Sequence, residues 1–156
     1  MNKVALVIIL YFSCISSSYS HSMSQELGLY VFTEKYEKVK ISIGNINRHK
    51  QVYKLSVKKL KFSESRTRLI INDLSKIKKN SDRMTYLEKI EPDDINENIL
   101  AKKITLSGGR YTDYKVPVFD LEENRHNFYE ICMLSVVKKG FSVSICTRAI
   151  IYYSPR

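Results

Sequence analysis

The most constraining feature of this chain is a pair of strand-like runs near its carboxyl end, separated by Lys138-Lys139-Gly140. The first runs from Phe128 to Val137 and the second from Phe141 to Tyr153. Both are rich in Ile, Val, Tyr and Phe, the residues that suit a pleated, half-buried surface. A three-residue connection with Gly available for a left-handed position suits a hairpin. That turn length sets the register: Cys132 falls opposite Cys146, and Glu130 opposite Arg148. One alignment therefore accounts for a disulfide and an ion pair together, and a slip of one residue would separate both. The alternate face carries Tyr129, Ile131, Met133 and Val137 against Phe141, Val143, Ile145, Ala149 and Ile151, and is expected to face the core. The Cys bridge is expected on the opposite face.

The rest of the chain shows short runs of the same kind. Leu29 to Phe32 is apolar. Val39, Ile41 and Ile43 alternate with Lys40 and Ser42, and Gly44-Asn45-Ile46-Asn47 reads as a turn. Tyr53, Leu55 and Val57 alternate with lysine and serine before the phase slips at Lys59-Leu60, which predicts a bulge there. Leu69-Ile70-Ile71 is a short apolar segment, and residues 75–83 read as a Lys-rich loop or short helix. Glu91-Pro92-Asp93-Asp94 is an acidic turn. Further strands are expected over 99–106 and 114–119, joined through Ser107-Gly108-Gly109. No amphipathic stretch of helix length stands out. The expectation is an all-β, immunoglobulin-like β-sandwich of about seven or eight strands.

The amino terminus reads as a secretory signal peptide over residues 1–20. Lys3 supplies the positive charge, residues 4–12 are an unbroken apolar run, and Ser18 and Ser20 precede a cut before His21. The apolar run is too short for a comfortable membrane span. Export leaves residues 21–156 as one domain. Cys14 departs with the leader, so Cys132 and Cys146 remain as an even pair in an oxidising compartment.

Three stretches, in this order, resemble the N-terminal immunoglobulin-like domain of PapD-like periplasmic pilus chaperones. Tyr30-Val31-Phe32 followed by Val39-Lys40-Ile41-Ser42-Ile43-Gly44-Asn45 is similar to that family's first strand and its alternating second strand, which ends in Asn. The stretch from Leu100 to Gly109, with Tyr114-Lys115-Val116 after it, is similar to a Leu, Pro-Gly and valine-arginine segment. Thr147-Arg148-Ala149-Ile150-Ile151-Tyr152-Tyr153-Ser154-Pro155 is similar to the family's closing strand. The resemblance implies a periplasmic chaperone that lends its last strand to an incomplete pilus or fimbrial subunit. It also implies an outer-membrane usher as a further partner. Arg148, Ile150 and Tyr152 share one face of that strand and are the implied subunit-binding residues, with Ile150 as the apolar plug. The family's two cationic anchor positions fall on Leu29 and Ile150, so its carboxylate clamp has no counterpart there. The family's second domain is expected to be missing.

The remaining chemistry is sparse. His126 with Cys132 and Cys146 lacks the paired spacing of a metal site, and no nucleophile elbow or phosphate-binding loop occurs. Asp93-Asp94 and Glu122-Glu123 are adjacent carboxylates that read as solvated turns, and neighbours along a strand would point to opposite faces, so acid–base pairing is not implied. No enzyme, cofactor or metal is therefore expected. With 26 Lys and Arg against 16 Asp and Glu, the chain carries +10. The cations Lys50, Lys54, Lys58, Lys59, Lys61, Arg66, Arg68, Lys76, Lys78, Lys79 and Arg83 concentrate in the first half. That field supports an alternative function: a secreted β-sandwich module or fibre subunit that attaches to anionic surfaces. Export argues against nucleic acid.

Overall fold

A computed structural model describes residues 21–24, 29–136 and 143–156. The expected signal peptide and the Lys138-Lys139-Gly140 connection lie outside the described residues. Eight strands form two sheets: β1 (His21–Ser24), β2 (Leu29–Phe32), β3 (Lys38–Asn45), β4 (Gln51–Lys61), β5 (Asp94–Leu106), β6 (Arg110–Pro117), β7 (Arg125–Val136) and β8 (Ser144–Tyr153). One sheet has the order β1-β3-β6 and the other β2-β8-β7-β4-β5. All pairs are antiparallel except β2 with β8, which run parallel.

Strand alternation builds the core between the sheets. Val39, Ile41 and Ile43 of β3 and Val116 of β6 meet Tyr53, Leu55, Val57, Tyr129, Ile131, Met133 and Ile151 of the larger sheet. These inward positions follow the alternating pattern, but Val143, expected on the same face, is exposed, and Val137 and Phe141 lie outside the described residues. The buried Tyr53 and Tyr129 hydroxyls hold their protons more firmly than usual, Tyr53 pushed up to about 12, because burial disfavours the phenolate. Tyr129 donates to the Phe119 carbonyl. Asn45 is fully buried at the end of β3, where its amide donates to the carbonyls of His49, Leu106 and Ser107. The turn at Gly108 approaches the same loop so closely that an added Cβ would lie 2.3 Å from the Arg48 carbonyl oxygen. Only Gly fits there.

Two helices stand where the sequence suggested a short apolar segment at 69–71 and a loop or one short helix over 75–83. The chain leaves β4 at Lys61, forms α1 (Glu64–Lys76) and α2 (Asn80–Lys89), and rejoins the sheet at Asp94. Lys61 and Asp94 are directly paired in register and joined by a 2.9 Å ion pair, so the excursion begins and ends at one place. Asp93 ties its base: its backbone N–H donates to the Lys61 carbonyl, and its carboxylate accepts from the Ser63 backbone N–H and from Arg66. The apolar segment Leu69-Ile70-Ile71 and the Lys-rich stretch after it therefore belong to a helical hairpin. Ile70 and Leu74 of α1 and Leu87 of α2 are buried against Leu60, Phe128 and Ile150 on the outer face of the larger sheet. The molecule has three layers and a second apolar core.

This cap corrects the reading of β4. Lys59 and Leu60 are both buried without any bulge, because β4 is covered on both faces at that point. The register irregularity falls instead between Lys54 and Ser56, where β5 carries extra residues.

Candidate functional site: the last strand and its cap

The β7–β8 register places Cys132 opposite Cys146 and Glu130 opposite Arg148. The sulfurs are bonded, with Cα atoms 4.0 Å apart. So short a separation marks a non-hydrogen-bonded pair of an antiparallel ladder, whereas Ser135 donates to the Val143 carbonyl at 2.9 Å in the neighbouring hydrogen-bonded class. The alternation fixes where the main-chain groups of β8 point. Those of Ser144, Cys146 and Arg148 face away from β7. β2 pairs with β8 only over 150–153. Among the described residues, no strand pairs with 144–149 on that side.

The side chains expected to bind a partner are occupied otherwise. Ile150 is 1% exposed, roofed by Ile70, Leu74 and Leu87. It is not an open apolar plug, because the helical cap fills the space over it. Arg148 spans the junction of sheet and cap. Its Nε donates to Glu130 at 3.1 Å, and its Nη1 donates to the carbonyls of Leu87, at 2.6 Å, and Ile90 at the end of α2. A guanidinium at a helix carboxyl end meets the negative pole and the unsatisfied carbonyls found there. Lys58 adds a second cation to Glu130 at 3.4 Å. Tyr152 is half-buried, its ring 5.0 Å from that of His126. The two anchor positions, Leu29 and Ile150, lie directly opposite each other in the parallel pair. They bring two hydrocarbon side chains together and no cation.

The metal alternative is not assembled. Glu130, Cys132 and Cys146 cluster, yet both sulfurs are spent in the disulfide and His126 packs on Tyr152 instead. Burial holds the His126 imidazole below its ordinary range. The basic field is also thinner than its residue count suggests. Lys59 is buried and donates to the Asp120 carbonyl and, at 2.8 Å, to Glu122. This bond holds the Glu122 carboxyl below its usual range. Lys58 and Lys61 are likewise paired, with Glu130 and Asp94. Among the described residues, no helix is long and apolar enough to cross a membrane.

No family model and no curated protein matches this sequence. The solved structures it resembles include the CsuC–CsuE chaperone–tip adhesion subunit pre-assembly complex from the archaic chaperone-usher Csu pili of Acinetobacter baumannii. There the identity is 9%, the match covers 86% of this chain and 57% of that one, and the TM-score is 0.48. The periplasmic chaperone SfaE matches at 9% identity over 88% of this chain and 58% of its own, with a TM-score of 0.44. The Salmonella enterica SafA pilin–SafB chaperone complex matches at 11% identity over 88% and 55%, with a TM-score of 0.45. This chain spans under three-fifths of the length of each of those chains.

Proposed function

We propose that the protein is an exported, chaperone-like binder of incomplete pilus or other fibre subunits, acting by β-strand addition and without covalent chemistry. The carrying observation is the edge of β8: among the described residues, β2 pairs with 150–153 and no strand pairs with the outward main-chain groups of Ser144, Cys146 and Arg148. An exposed row of N–H and C=O groups is a template for another strand. The order of sequence stretches shared with the PapD-like chaperones supports the same reading. In this version the subunit is held through the main chain of β8. Ile150 and Arg148 stay beneath the cap, and Tyr152 borders it.

The test is co-expression with a candidate subunit, followed by pull-down and limited proteolysis. A stable complex and protection of the subunit are expected. Ser144→Pro deletes an outward N–H at the start of the strand without removing a bond to β7. It should weaken capture while the thermal transition of the protein alone is little changed. Absence of any complex with the unaltered protein, or full capture by Ser144→Pro, would count decisively against strand addition at this edge.

A further inference from the structure

Beside the helical cap lies a cleft of about 500 Å³ that none of the preceding roles uses. It opens between the amino-terminal half of α1, the loop before β7 and the end of β8. Its size is within the ~300–1,000 Å³ typical of small-ligand sites. The floor is oily and aromatic. Phe62 stands edge-on to Phe128 with ring centroids 4.9 Å apart, and the His126–Tyr152 pair continues the surface.

The rim has the opposite character. Four cations, Lys59, Lys61, Arg68 and Arg125, line it against two carboxylates, Glu64 and Glu122. Lys59 and Lys61 are committed to Glu122 and Asp94. The two arginines are held more loosely. Arg68 meets Glu64 at 2.7 Å with both side chains more than 70% exposed, and Arg125 reaches Glu122 at 3.7 Å. Exposed pairs of this kind contribute little. An incoming anion can recruit either guanidinium at small cost, and a guanidinium's planar fork suits an acidic group.

We propose that this cleft binds a small aromatic anion. Its ring lies on the floor made by Phe62, Phe128 and Tyr152, and its acidic group turns toward Arg68 and Arg125. An uncharged molecule of the same shape gains the floor alone, and a small hydrophilic anion gains the rim alone. The net charge of +10 favours arrival of such a ligand. The inference does not depend on the reading of the β8 edge.

Two fluorescent probes test it: 1-anilinonaphthalene-8-sulfonate and its uncharged relative N-phenyl-1-naphthylamine. The sulfonate should bind one-to-one and saturably. Its amide shifts in a two-dimensional NMR spectrum should be confined to β4's end, the start of α1, residues 122–128 and Tyr152. The naphthylamine should bind about tenfold more weakly, as expected from losing one charge-assisted hydrogen bond. Arg68→Gln with Arg125→Gln, both exposed, should lower sulfonate affinity by about the same factor and leave the naphthylamine unchanged. Lys78→Gln, outside the cleft, should leave both unchanged. Equal affinity for the two probes, an unaffected arginine double variant, or shifts spread across the buried faces of α1 and α2 would each overturn the assignment.

Discussion

Arg148 shows how much one side chain can do when it sits at a junction. It is 14% exposed and its partner Glu130 is 17% exposed, so the pair is largely withdrawn from water. The same guanidinium satisfies two carbonyls at the end of α2. Arg148→Ala would take a donor from the Leu87 and Ile90 carbonyls and leave Glu130 with Lys58 as its cation, and the expected loss is about 2 kcal/mol. Urea unfolding measures it. Hydrogen exchange should rise first in α2, because the cap loses its tie before the sheet does. His126 acts through protonation. Its folded-state pKa lies below the ordinary 6.5, so the unfolded chain takes up a proton first as the medium becomes acidic. The stability it contributes is complete above that value and declines as pH falls below it, until the folded imidazole is protonated as well. His126→Gln should flatten that limb of a urea-midpoint profile. The further decline in stronger acid should persist, since it belongs to Glu37, Asp93, Asp94, Asp113 and Glu122, all held below their usual values by hydrogen bonds or cations.

At the scale of elements, the β7–β8 hairpin was the most legible part of the sequence. Reading Lys138-Lys139-Gly140 as the connection predicts a register, and the Cys132–Cys146 and Glu130–Arg148 pairs agree with it. The bridge closes a loop of sequence separation 14. In the chain-entropy account such a closure contributes about 3 kcal/mol. Reduction with dithiothreitol should lower the urea midpoint accordingly while the far-ultraviolet spectrum keeps its β character, because Glu130, Arg148 and the oily inner face still specify the pairing. A loss of strand signal on reduction would show that the bridge, and not the packing, selects the register. The helical hairpin was illegible for a physical reason. Thr67, Ile70, Ile71 and Leu74 do recur at helical spacing, yet charged residues surround them and two, Ile70 and Ile71, belong to the Leu69-Ile70-Ile71 run that also suits a strand. Their amphipathic character becomes clear only once the sheet face they cover is known.

For the whole molecule, alternation along β3, β4 and β7 was enough to foretell a sandwich, since each strand marks an inward face. It could not foretell which outer face is roofed. A strand carrying Leu60, Phe128 or Ile150 outward looks like a bulge or an exposed plug until the third layer is in place. The same ambiguity governed the partner-binding residues. The strand was found from sequence, but the availability of its side chains depended on residues 62–93, distant in the chain. The cleft went unnoticed for a related reason: Phe62, Arg68, Arg125 and Tyr152 share no motif and meet only through the fold.

The shared point of departure and return at Lys61 and Asp94 has a practical corollary. A label attached near Lys78, at the tip between the two helices, travels with the roof and not with the sandwich beneath. Its fluorescence would therefore track whether the roof lifts when a guest is captured, while a second label on the smaller sheet stays as the fixed reference.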